Sequence, residues 1–159
     1  MFKDSAFLVA PLALLSGTPT AVSAQNLDNL ASLAIMSGKC HKLVIGGADA
    51  SAHCKPMVTN TAYRTGKSSF TFVAGESAIV GFFGADSRAE RDKAVLKVEQ
   101  ITLNLMMGTP STMAPATGTC TYTNPYAGPS LLQCSAISGG KTYSATFVSD
   151  GRAPELKRF

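Results

Sequence analysis

Tryptophan is absent from this 159-residue chain, histidine occurs twice, and only 15 % of the residues are charged. So little charge excludes a coiled coil, a long solvated helix and a disordered chain, all of which are charge-rich. Basic residues number 14 against 10 acidic ones and are scattered along the chain. A nucleic-acid binder gathers its basic residues on one face, so no nucleic-acid partner is expected. Catalytic signatures are missing too. There is no Gly-x-Ser-x-Gly elbow, no glycine-rich phosphate loop and no metal-binding helix motif. Asp86, Glu90 and Asp92 alternate with Arg88, Arg91 and Lys93, a solvated surface rather than a glycosidase carboxylate pair.

What the chain does have begins with a leader. Lys3 supplies a positive start, weakened by Asp4, residues 6–15 are apolar, and Ala21, Val22, Ser23 and Ala24 close the segment on small residues. Val22 and Ala24 fit the cleavage pattern, which makes residues 1–24 a secretory signal peptide and Gln25 the expected mature N-terminus. The ten apolar residues are too few for a retained anchor, since a bilayer takes about 20. No cysteine follows the cleavage site to carry a lipid. No later segment has a membrane helix's apolar run, so a soluble periplasmic or extracellular protein is expected, not a membrane-spanning one. Cleavage removes one charge of each sign and leaves the net charge at +4.

Cys40, Cys54, Cys120 and Cys134 are an even set in a chain read as exported, and three pairings exist in principle. Near-neighbour pairing gives two loops of 13 residues each, and Gly-x precedes both Cys40 and Cys120. A two-stranded hairpin would bring each pair together, so Cys40–Cys54 and Cys120–Cys134 are the predicted bridges. Each should add about 3 kcal/mol by restricting the unfolded chain. The competing reading is a metal site, because His41 and His53 flank the first pair. Neighbouring strand residues point to opposite faces, which keeps those four side chains from one ion. No metal and no cofactor are therefore expected.

The rest of the chain reads as β-structure. Lys42-Leu43-Val44-Ile45 stops at Gly46-Gly47, and residues 51–54 can return beside it. Residues 69–73 alternate, turn at Ala74-Gly75-Glu76, and run back through 78–83. Ile101, Leu103 and Leu105 share a face, as do Tyr143, Ala145 and Phe147, whereas Leu96 and Val98 have the opposite parity to Ile101. A phase change inside one strand predicts a bulge near Glu99-Gln100. Two short helices are candidates: 86–93, where Ser87 and Glu90 fit a capping box, and 27–34, which reads equally well as a first strand. The two halves, about 25–93 and 94–159, share Gly-x-Cys, a Gly-Lys turn (Gly66-Lys67, Gly140-Lys141) and Phe-Val (Phe72-Val73, Phe147-Val148). The spacing between these marks differs, so an internal duplication and chance agreement both stand. Residues 25–159 are expected to form one all-β domain, a small antiparallel sandwich or barrel of two similar stapled halves.

One stretch is left for function. Tyr122, Asn124, Pro125, Tyr126 and Pro129 fill the second cysteine loop, where Asn-Pro and Gly-Pro shape a wide, rigid turn. Rigid tyrosines on a stapled loop lose little entropy on docking, so these five residues are the candidate partner-binding loop. The plain alternative is that the tyrosines pack on the sheet. The tail with Arg152, Lys157, Arg158 and Phe159 reads as a frayed end. Finally, Ser138-Gly139-Gly140-Lys141-Thr142-Tyr143 resembles the Ser-Gly-x-Lys-Tyr stretch of the exported lysozyme-inhibitor barrels. Here it carries one extra residue, the following tryptophan strand is missing and the cysteine layout differs. The resemblance implies an inhibitor of an extracellular enzyme as the alternative function. The main expectation is an exported, non-enzymatic binding or envelope-maintenance module of unknown ligand. A small hydrolase using His41 or His53 is the remaining rival.

Overall fold

The computed structural model describes residues 29–76, 78–88, 93–105 and 108–159. The segment read as a signal peptide lies outside these residues. Among the described residues ten strands follow one another: β1 (Leu30–Ile45), β2 (Ala48–Asp49), β3 (Cys54–Tyr63), β4 (Lys67–Ala74), β5 (Ala78–Arg88), β6 (Lys93–Asn104), β7 (Thr112–Thr123), β8 (Leu131–Ser138), β9 (Lys141–Ser149) and β10 (Glu155–Arg158). All pairings are antiparallel, and β1 and β3 to β9 neighbour each other in chain order. The C-terminal half of β1 then pairs with β9, so the eight strands close into a barrel. A closed barrel has no open edges, which a sandwich of the same strands would keep.

Alternation decides which side chains enter the lumen. In β8 every second residue is buried, and Phe70, Phe72, Val80, Phe82, Leu96, Ile101, Leu132 and Phe147 meet inside at no more than 2 % exposure. Phe72 and Phe82 touch edge to face with centroids 6.0 Å apart. The expected phase change is present. The β6–β7 ladder shifts between Val98 and Gln100, and the β5–β6 ladder shifts opposite it at Phe83 and Gly84. Glu99, set off by this bulge, receives both hydrogen bonds of the Lys67 ammonium, at 2.6 and 2.7 Å.

Both predicted disulfides are present. Cys120 and Cys134 face each other across β7 and β8, inside the lumen. Cys40 and Cys54 lie on β1 and β3, where the ladder that ends at Ser37 and Met57 would place them opposite each other if continued. The glycine two residues before each first cysteine now has a reason. A Cβ on Gly38 would collide with the Val148 carbonyl, and one on Gly118 with the Ser135 carbonyl. Both glycines let the neighbouring strand close in beside a bridge. The shared sequence marks fall on β1, β3 and β4 in the first half and on β7, β8 and β9 in the second. The units that carry them therefore run about 30–74 and 112–149, with the β5–β6 hairpin between.

One helix expectation is corrected and one open choice is decided. Of the 27–34 candidate, residues 27 and 28 lie outside the described residues, and residue 30 onward is strand, one of the two readings weighed for it. Asp86, Ser87 and Arg88 pair with Leu96, Val95 and Ala94 as the end of β5, and Lys93 opens β6. Ladder hydrogen bonds there satisfy the backbone groups that a helix would have satisfied internally. The Ser87 hydroxyl donates to the Val95 carbonyl at 3.2 Å instead of capping a helix. Residues 89–92 of that candidate lie outside the described residues. No helix among the described residues is long and apolar enough to cross a membrane.

Candidate functional site

The barrel's two ends are finished differently. At one end the chain leaves β1 through Gly46 and Gly47, both at positive φ, and folds back as β2 and a single 3-10 turn at Ser51–His53. The Ala50 amide donates to the Leu43 carbonyl and the Gly75 amide to the His53 carbonyl, each at 2.8 Å. The Leu43 amide donates to the Ser51 hydroxyl at 3.0 Å, while Ser51 donates through its amide and hydroxyl to the Asp49 carboxylate. Those bonds hold the Asp49 pKa below the usual carboxylate value. Ile45, Ala50 and the Cys40–Cys54 bridge pack against the core from this side. That end is closed.

The other end is hollow. A cavity of about 460 Å³ enters the barrel there, with Met36, Phe70 and Leu132 among its deepest side chains. Its wall carries Ala34 and Asn60, direct ladder partners on β1 and β3. Tyr122 crosses from β7 to meet Phe70 edge to face, with ring centroids 4.9 Å apart. The Tyr122 hydroxyl donates to Asp86 at 3.1 Å. Burial, then the Asp86 charge and this bond, push the phenol pKa well above its ordinary value, so it stays neutral.

The lip of this cavity includes the loop singled out in the sequence. Pro125 and Tyr126 line it beside Asn124, whose side-chain oxygen accepts the Tyr126 amide at 3.0 Å. Tyr126 is 56 % exposed, whereas Tyr122 is half-buried in the lumen, so the two tyrosines have different surroundings. Pro129 lies over Gly151, 3.2 Å from where a Cβ would stand on that glycine. At the base of the loop Ser130 donates its hydroxyl to the Thr123 carbonyl at 2.7 Å and its amide to the Ser149 hydroxyl at 2.8 Å. The Cys120–Cys134 bridge lies below, within the lumen.

The opposite lip was missed. Its tail was read as a frayed end, but β9 breaks at 150–154 and resumes as β10, antiparallel to β1. Pro154 and Leu156 line the cavity from this strand. Arg64 donates to the Phe159 carbonyl at 2.9 Å, and the Lys157 ammonium sits 5.1 Å above the Phe159 ring. A charged tail shows no periodicity, so its pairing could not be read from sequence. Asn60 left only the parity it shares with Val58, which by itself does not tell the inward face from the outward one.

His41 and His53, the candidate bases, are both exposed at the closed end beside the Cys40–Cys54 bridge. No group of three or more His, Cys, Asp or Glu among the described residues is arranged to hold a metal ion. In the inhibitor-like stretch, Gly139 and Gly140 form the β8–β9 turn, Ser138 is buried and donates to the Pro115 carbonyl, and Tyr143 is 6 % exposed. Gly139, Gly140, Lys141 and Thr142 are the exposed residues of that stretch. Neither a protein-family model, a curated protein nor a solved structure matches this chain.

Proposed function

We propose that this chain is an exported binding protein without a catalytic role, and that its mouth cavity takes up a small, largely apolar ligand. The observation that carries this reading is the contrast between a closed end and a cavity of about 460 Å³ at the other. An eight-stranded barrel is just wide enough to be filled by side chains or to hold one small ligand. Ligand pockets of roughly 300–1,000 Å³ lined mostly by apolar groups are the usual size for such molecules. Two disulfides suit an oxidising compartment and agree with the leader read in residues 1–24. An inhibitor loop would have to project into an enzyme's cleft. Here the loop borders a hollow that Pro125 helps to line, which favours uptake over insertion.

Titration of the oxidised protein with N-phenyl-1-naphthylamine, a neutral apolar dye that brightens away from water, tests the reading. One saturable site is expected. Ala34→Phe, which places a ring beside Asn60, should abolish it while the protein still melts cooperatively. Tyr126→Ala should weaken dye binding by about 1–3 kcal/mol, as loss of an interface anchor does, with the melting midpoint nearly unchanged. Failure of the folded wild-type protein to saturate with dye would overturn the proposal.

A further inference from the structure

We infer that the mouth cavity selects ligands carrying a hydrogen-bond donor, an N–H or O–H group, and that the side-chain oxygen of Asn60 reads it. The inference rests on the mouth being a ligand site and adds the class of ligand it prefers.

Asn60 stands on β3 between Ala34 of β1 and Phe70 of β4, its partners across the two ladders. Its Nδ2 donates to the Ser69 carbonyl at 3.1 Å. A carbonyl can only accept, so that bond fixes which end of the amide is nitrogen. The other end is Oδ1, an acceptor that has no partner among the described residues. The side chain is only half-buried and lines the cavity.

Several of the surrounding polar groups are committed, and the Lys93 ammonium, which also lines the cavity, can only donate. Tyr122 donates to Asp86, Thr123 and Ser130 bond each other and the backbone, and the Asn124 side chain holds the Tyr126 amide. Ser32, one inward position beyond Ala34, keeps a hydroxyl that can turn either way. Asn60 is different because its free end can only accept. Ala34, Met36, Phe70 and Leu132 offer it nothing. In the unliganded barrel water must serve this oxygen. A ligand that displaces the water with a donor keeps the hydrogen bond, whereas one that brings only hydrocarbon leaves a desolvated acceptor behind.

The probes are 2-naphthol and 2-methylnaphthalene, near isosteres of which only the first carries a donor, each competed against N-phenyl-1-naphthylamine on the full, oxidised protein. The quantity read is the ratio of the two dissociation constants, which cancels their different hydrophobicity when wild type and variant are compared. Asn60→Leu should shift that ratio against naphthol by at least tenfold, while methylnaphthalene still binds. Asn60→Asp, which keeps an acceptor at this place, should hold the wild-type ratio or raise it. Should Asn60→Leu fail to fold, Asn60→Ala provides the same reading. An unchanged ratio in folded Asn60→Leu or Asn60→Ala protein overturns the inference and leaves the mouth as a ligand site. If neither compound displaces dye from the wild-type protein, the ligand reading itself falls.

Discussion

The closed end and the mouth are made by the same eight strands, yet one is full and the other hollow. Side-chain size accounts for much of the difference. The middle and closed end hold Phe72, Phe82, Phe147, Leu43 and Val58, each at most 1 % exposed. Towards the mouth the lumen is lined by Ser32, Ala34, Ala94 and Ser130, and the large rings of Phe70 and Tyr122 take up only the space between β4 and β7. Covering differs as well. A two-residue strand and a 3-10 turn fold across the closed end, held by backbone hydrogen bonds. At the mouth β9 breaks and β10 continues along β1, so the 124–129 loop and β10 border an opening instead of sealing it. A barrel needs bulk at every layer to be solid. Here the bulk stops before the strands do.

The sharpest way to break this comparison is to truncate one residue from each region. Phe72→Ala should cost about 3–5 kcal/mol, as full removal of a core ring does, and lower the melting midpoint accordingly. Leu156→Ala, at a lip position 44 % exposed, should stay below about 1 kcal/mol. Similar losses from the two changes would mean that the mouth is as tightly packed as the core.

The two bridges give a smaller contrast. Both close loops of equal length, so the chain-entropy contribution of each is about 3 kcal/mol. Cys120 and Cys134 are also core side chains at 0 % and 4 % exposure, whereas Cys40 and Cys54 are only partly buried. Replacing Cys120 and Cys134 by alanines should therefore lower the urea midpoint more than replacing Cys40 and Cys54, because it also removes packed volume from the lumen. The reverse order would show that the closed-end bridge, and not lumen packing, holds the barrel shut.

Acid should distinguish the ends least. Asp49 at the closed end is lowered by hydrogen bonds from Ser51, and Asp150, in the link between β9 and β10, by hydrogen bonds from Arg152. A carboxyl lowered on folding adds stability above its unfolded pKa of about 3.9 and loses it as pH falls through the folded value. Both residues are exposed at the surface, so the effect should be slight. Melting curves between pH 6 and 2 should flatten a little, and by similar amounts, in Asp49→Asn and Asp150→Asn. A large change in either variant would mark that carboxylate as a latch.

Some of the site was legible beforehand. Tyr122, Asn124, Pro125, Tyr126 and Pro129 stood out because proline, asparagine and a flanking cysteine pair are local signals of a shaped loop. Asn60 was not singled out, since one polar residue in a strand reads as an outward position until the neighbouring strands settle which face is in. Pro154 and Leu156 were unreadable for another reason. Their place depends on β10 finding β1, a contact between residues more than a hundred positions apart in sequence.

By itself the sequence determined what period and spacing control: strands, the Glu99 bulge, the turns at glycine pairs and two local cysteine loops. Each depends on residues close along the chain, where alternation and turn chemistry act directly. Tertiary structure alone decided that the sheet closes, because closure rests on β1 meeting β9 across the whole chain. It also decided that 86–88 is strand, since ladder partners outweighed a local capping pattern. Which end is hollow was settled there too, because a cavity is the shortfall of side-chain volume summed over many strands, and no single stretch of sequence carries that sum.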